Sequence, residues 1–179
     1  MVMVMNMDDR LPVRKSLRML HYDYNTPGAY FLTFCTHNRK HILSYIPEEI
    51  QGTEKPRLTI CGKIVDGILR NLPENLHVTI DQYVIMPNHV HLIAVITGEV
   101  AVKESIHSLP QMRSVVSKLM GYIKMNASKA IRSHYGDIPV WQRGYYDHVI
   151  RNQEDYIALA EYIQTNPLRW KMDKLYAEE

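Results

Sequence analysis

His89-Val90-His91 is a place where side chains of the right type stand at a spacing that can do chemistry. In a strand, residues i and i+2 point to the same face. The two imidazoles therefore project together, roughly 7 Å apart at their Cβ atoms, within reach of one divalent cation. Ile93 and Val95 continue that face, while Val90, Leu92, Ala94 and Ile96 line the other. A strand apolar on both faces belongs in the middle of its sheet. Taken alone, the pair fits two strand-end histidines without a ligand as well as it fits a metal or phosphate site. Tyr162 and Asn166 form a second pair, because positions i and i+4 stack on one helix face. There a phenol could act as nucleophile and an amide oxygen as a metal ligand. The chain holds twelve tyrosines, and most tyrosines pack with a solvated hydroxyl, so spacing alone leaves both readings of Tyr162 open. The remaining histidines show no ligand spacing.

These residues need elements to position them. Residues 29–36, aromatic and β-branched after Pro27-Gly28, predict a strand. Residues 37–59 predict a loop with a short helix. Ile64, Val65, Ile68, Leu69 and Leu72 predict a helix over 61–72, stopped by Pro73. Val78, Ile80, Val84 and Met86 alternate, which predicts a strand over 76–86. Pro87-Asn88 is a turn, and 89–96 completes a hairpin. After a loop over 97–110, residues 112–134 predict the clearest helix, with Val116, Leu119, Ile123, Ala127 and Ala130 on one face. Residues 140–151 predict a strand broken at Gly144, with Trp141 in the core. Tyr145 and Tyr146 either stack on bases or pack at the strand edge. Asn152 is a good N-cap for a last helix. It stops at Asn166-Pro167, since proline disfavours the α conformation at the residue before it. Tyr156 lies on a different face from Tyr162 and is expected to pack inward with Leu159, Ala160 and Ile163.

The order β, α, β, β, α, β, α predicts an α+β fold. It is the ferredoxin-like split β-α-β sandwich, an antiparallel sheet with helices on one face and an extra C-terminal helix carrying the tyrosine. The domain is read as 25–170, with an N-terminal arm over 1–24 and a C-terminal tail over 171–179.

Composition sets limits on the function. The chain has 179 residues, 46% apolar and 22% charged, which is ordinary for a globular domain and excludes a disordered one. No apolar run approaches the roughly 18 residues of a membrane span, and the N-terminus does not read as a signal peptide. Two cysteines, Cys35 and Cys61, are too few for a disulfide framework. A cytoplasmic protein is expected, with no membrane partner. The net charge of +2 is uninformative, but residues 111–151 hold seven basic side chains against two acidic ones. That concentration suits a polyanion such as nucleic acid, or simply a solvated helix face. Lys118, Lys129 and Arg132 fall nearly opposite the apolar face of their helix. With Arg113, Arg143 and Arg151 they are the candidate phosphate contacts.

In combination, MPNHVHLIAVI, a basic amphipathic helix, WQRGYYDHVIR and EYIQTNPLRW resemble the single-tyrosine HUH transposases of bacterial insertion sequences. The Tyr162–Pro167 ending is most similar to the REP-associated tyrosine transposases. The resemblance spans about residues 25–170. It implies a bacterial, nucleoid-associated enzyme that cuts and rejoins single-stranded DNA near hairpins. His89 and His91 would bind a divalent metal, Mg or Mn in this family. Tyr162 would attack the scissile phosphodiester and form a 5′-phosphotyrosine. Asn166 stands where many relatives carry a glutamine as a further metal ligand. Insertion-sequence relatives exchange the tyrosine helix within a homodimer whereas REP-associated ones act as monomers, so both states stay open. Two other readings remain: a non-cleaving nucleic-acid-binding regulator of the same fold, and a metal-dependent phosphodiesterase using water. Against the second, Ile93 occupies the position of a third alternating histidine.

Overall fold

The computed structural model describes residues 22–48, 55–97 and 113–177. Most of the expected N-terminal arm and of the 97–110 loop therefore lies outside the described residues. The strands are β1 (Gly28–Cys35), β2 (Ser44–Tyr45), β3 (Arg57–Leu58), β4 (Val78–Ile85), β5 (His89–Ile96) and β6 (Tyr146–Ile150). The α-helices are α1 (Ile60–Arg70), α2 (Val115–Tyr135) and α3 (Gln153–Thr165), and a 3-10 helix, Asn166–Met172, continues α3. Four strands form one sheet in the order β4-β5-β1-β6, and every neighbouring pair is antiparallel. This is the expected split β-α-β arrangement, with β5 in an interior position.

β2 and β3 pair as a small separate ladder, Ser44 opposite Leu58, within the stretch expected to be a loop. Two residues per strand are too short to show an alternating pattern. The short helix expected there is the 3-10 turn His37–Arg39. Only an isolated bridge between Thr36 and Trp141 precedes Gly144 in the expected 140–151 strand. Gly144 adopts φ 82°, which is the break the sequence predicts.

Each α-helix begins at a side-chain cap. Thr59, Ser114 and Asn152 accept from the backbone N–H of Gly62, Ser117 and Asp155 respectively. Asp155 and Glu154 also place negative charge in the first turn of α3. At its other end one expectation fails. Asn166 keeps the right-handed α conformation, φ −55° and ψ −41°, despite preceding Pro167. The chain tightens there into the 3-10 helix with proline in its first turn, where a missing N–H removes no helical bond.

The sheet carries a core on each face. Leu32, Phe34, Val90, Leu92 and Ala94 pack with Val65 and Leu69 of α1 and with Val116, Leu119, Ile123, Ala127 and Ile131 of α2. Phe31, Val84, Met86 and Ile93 pack on the opposite face with Ile163 and Trp170. Tyr156, Leu159 and Ala160 join this second cluster as expected. Val78, Ile80, Val84 and Met86 do not share one face, which corrects the simple alternation. The register slips between Ile80 and Gln82, a β-bulge at Asp81 that inverts the alternation beyond it. Val78 and Ile80 therefore meet α1 and α2, and Val84 and Met86 meet α3.

α1 seats closely on the segment before β2. A Cβ added at Gly62 would lie 2.0 Å from the Leu43 carbonyl oxygen, whereas one at Gly121 in α2 would meet nothing within 4 Å. Gly62→Ala is expected to destabilise the protein by about 1–3 kcal/mol through overpacking. Gly121→Ala should stabilise it by about 0.5–1 kcal/mol through helix propensity. Urea unfolding monitored by circular dichroism checks both, and a neutral Gly62→Ala would show that α1 can shift away from Leu43.

Candidate active site

β5 brings His89 and His91 onto the face that α3 covers, and both are buried, at 0% and 3% exposure. Their ring centroids lie 4.5 Å apart. Each is held by a neighbour. The Asn88 side chain donates from Nδ2 to the Leu175 carbonyl at 2.9 Å, which turns its Oδ1 toward His89 Nδ1 at 2.7 Å. His89 therefore carries its proton on Nδ1 and presents a bare Nε2. That Nε2 is buried and has no hydrogen-bond partner. His91 Nδ1 lies 2.7 Å from the Thr33 hydroxyl on β1, and Nε2 faces the Tyr162 hydroxyl at 3.4 Å. Phe31 stacks on the His91 ring, centroids 5.3 Å apart.

α3 and the segment after it close the site within one chain. Tyr162 is one residue before the buried Ile163, so it sits at the margin of the packed stripe and is 38% exposed. Its hydroxyl donates to Asp173 Oδ2 at 3.1 Å. The Asn166 amide donates to the same oxygen at 2.6 Å, and the Leu175 backbone N–H donates to Asp173 Oδ1, also at 2.6 Å. With its Nδ2 so engaged, Asn166 leaves a buried Oδ1 without a partner.

Electrostatics follow from this packing. Burial pushes His89 down to about 4, with Arg39 adding to the effect and the Asp173 charge opposing it. Burial, then the neighbouring His89, pushes His91 well below the usual imidazole value. Both rings are neutral near pH 7, the form that offers a lone pair to a metal. Burial on its own would raise Asp173, but the Leu175 N–H, the Asn166 amide and His89 outweigh it and hold the carboxyl below its ordinary value. Tyr162 is pushed up to about 12, by burial first and then by the charge and hydrogen bond of Asp173.

His89, His91 and Asp173 each offer a ligand atom, all within 4.8 Å of one another. The set can hold a metal ion. The bare, buried His89 Nε2 is the costly group that a bound cation would satisfy. Two imidazoles and a carboxylate leave coordination positions open, as catalytic sites require. Such a donor set suits Mn or Zn better than Mg.

The structure thus brings together His89, His91, Tyr162 and Asn166. It adds Asp173, Asn88, Thr33 and Arg39, which sequence reasoning missed. Asn88 was readable only as a turn residue, and Asp173 falls in the stretch read as a tail, with no spacing to mark it. The basic candidates spread out. Lys118, Lys129 and Arg132 are exposed on α2, which packs on the sheet face opposite the histidines. Arg132 is engaged locally, donating to the Ile138 carbonyl at 3.0 Å and lying 3.3 Å from Asp137. Arg113 is exposed just before α2. Arg143 and Arg151 flank the two ends of β6 and are exposed. Among the described residues no helix is long and apolar enough to cross a membrane.

An uncharacterized protein of Haemophilus influenzae is 33% identical over 174 residues, covering 92% of this chain and 94% of that protein. The chain belongs to the family of that Haemophilus protein. No family model matches the chain. Among solved structures, it is similar to a REP-associated tyrosine transposase bound to a REP hairpin. The TM-score is 0.57 at 21% identity, over 88% of this chain and 77% of that one. The likeness extends to the α+β architecture, with its four-stranded antiparallel sheet and C-terminal helix.

Calorimetric titration with Mn tests the metal site. Wild type should bind Mn, and His89→Ala or His91→Ala should abolish measurable binding. Asn88→Ala, which frees the His89 ring to turn, should weaken affinity about 10–100-fold. Tyr162→Phe should bind as wild type does. An unchanged Asn88→Ala would show that the ring is fixed by packing alone.

Proposed function

We propose that this protein is a transposase that cuts and rejoins single-stranded DNA beside hairpins, with Tyr162 as nucleophile. The observation that carries the reading is the Tyr162 hydroxyl between His91 Nε2, at 3.4 Å, and Asp173 Oδ2, at 3.1 Å, in a fold shared with a REP-associated tyrosine transposase.

The chemistry follows from these groups. Tyr162 Oη attacks the scissile phosphorus, forming one P–O bond as the bond to the 3′ oxygen breaks. The Tyr162 proton has Asp173 Oδ2 as its acceptor, and the departing 3′ oxygen takes a proton from water. The product is a 5′-phosphotyrosine and a free 3′ hydroxyl. Because the phosphodiester energy is conserved, a 3′ hydroxyl can attack that ester and reverse the step without ATP. A phenol with a pKa near 12 is protonated and weakly nucleophilic at neutral pH, so the site needs positive charge beside the phosphate. His89, His91 and Asp173, with Asn166 Oδ1 nearby in sequence to the nucleophile, would hold a divalent ion, Mn or Mg. When bound, it would polarise the phosphate and neutralise developing charge. In this reading the single strand passes the site beside Arg143. Arg113, Lys118, Lys129, Arg132 and Arg151 contact phosphates farther along the DNA.

The test is a labelled strand carrying a palindrome from the DNA flanking the gene, incubated with Mn or Mg and run on a denaturing gel. Wild type should leave a protease-sensitive covalent adduct. Tyr162→Phe should lower adduct formation by at least about 10³-fold while binding DNA nearly as wild type does. Tyr156→Phe should still form it. An adduct on Tyr162→Phe would assign the nucleophile to another residue. Cleavage without any adduct would make water the nucleophile, and binding without cleavage would make the protein a regulator.

A further inference from the structure

We infer that Tyr146 is a stacking platform for a DNA base beside the scissile phosphate. The inference rests on the DNA-cleaving reading above and assigns a binding residue to the same site.

Strand register places it there. Thr33 pairs with His91 on one side and with Tyr146 on the other. Residues directly opposite in neighbouring strands share a face, so His91, Thr33 and Tyr146 form one row across β5, β1 and β6. Two interstrand steps put the Tyr146 Cα about 10 Å from that of His91, a gap that one nucleotide's sugar and base can bridge. The next row repeats the placement, with Ile93, Phe31 and His148 in line. Asp147 and Val149 point the other way and are buried, while Tyr146 is 48% exposed.

Tyr145 cannot serve the same role. It packs against the core shared with α1 and α2, and its hydroxyl lies 3.4 Å from Ser117 Oγ. The turn that delivers Tyr146 is fixed from below. Lys124 Nζ donates to the carbonyls of Gln142 at 2.6 Å and Gly144 at 2.8 Å. Arg143 is exposed between those two carbonyls, so a phosphate-binding cation and an exposed aromatic stand three residues apart on one anchored turn. Aromatic faces paired with cations are what bind single strands without strict sequence preference.

The probe is an oligodeoxythymidine strand carrying one 2-aminopurine, with the full-length protein at low salt. Wild type should bind it and quench the 2-aminopurine. Tyr146→Ala should weaken binding about 5- to 150-fold and lose the quench, while Tyr146→Phe and Tyr146→Trp keep both. On the hairpin-bearing strand, Tyr146→Ala should raise KM and still form the Tyr162 adduct. If Tyr146→Ala binds and quenches as wild type does, or if wild type neither binds nor quenches, the platform is wrong. An adduct from wild type with an indifferent Tyr146→Ala would overturn the platform and leave the cleavage reading standing. A Tyr146-dependent quench without any adduct would do the reverse.

Discussion

Two buried neutral imidazoles, with a half-buried carboxylate beside them, are the constraint on which the rest of this structure depends. Burying polar groups is costly unless other groups satisfy them. His91 is answered by Thr33 of the neighbouring strand and His89 by Asn88 of the hairpin turn. Asn88 is itself fixed by the Leu175 carbonyl, and the Leu175 N–H holds Asp173. One residue after the 3-10 helix thus ties the β4–β5 turn to the carboxylate that faces the histidines. Arg39 adds a further tether, its guanidinium donating to the Lys174 carbonyl at 3.4 Å. The segment after α3 is part of the site because the buried polar groups require it.

The sheet divides its labour by face. The face toward α1 and α2 is closed by apolar side chains from both helices and from alternate positions of β1 and β5. The other face has a smaller apolar cluster, and its remaining positions carry His89, His91, Thr33, Tyr146 and His148. Strand alternation lets one four-residue stretch of β5 serve both: Val90 and Leu92 anchor the two-helix core while His89 and His91 face the site. Stability and chemistry are thereby placed on opposite sides of the same backbone.

This division explains what the sequence made legible. The order of elements and the strand period of β5 follow from patterns that local residues carry, so the sheet and the pairing of His89 with His91 were readable. Tyr162 and Asn166 were readable as a helical pair. The bulge at Asp81 was not, because Val78, Ile80, Val84 and Met86 alternate whether or not an extra residue intervenes. Asp173 was hidden for a different reason. A lone acidic residue in a short, charged stretch acquires meaning only when the fold returns it to His89. The charge run over 111–151 showed cations but not their directions: α2 turns its exposed lysines away from the histidines, while Arg39, outside the run, acts on His89.

The bulge also settles how Tyr162 is held. By inverting the alternation it turns Val84 and Met86 toward α3, and its extra residue, Asp81, accepts a hydrogen bond from Tyr156 in the first turns of that helix. At the start of α3, Asp155 receives His148 of β6 at 2.8 Å. Its N-terminal turns are therefore fastened to both edge strands, β4 through Tyr156 and β6 through Asp155. Ile163 packs in the middle of the cluster, and the Asn166 bond to Asp173 secures the far end. A rigid helix fixed at both ends leaves its residues little freedom to rotate or slide. The Tyr162 phenol owes its place beside His91 to those contacts, since its own hydroxyl bonds, at 3.1 and 3.4 Å, are among the longer ones in the site. A phenol positioned by its helix rather than by its own hydrogen bonds keeps its hydroxyl free to exchange partners.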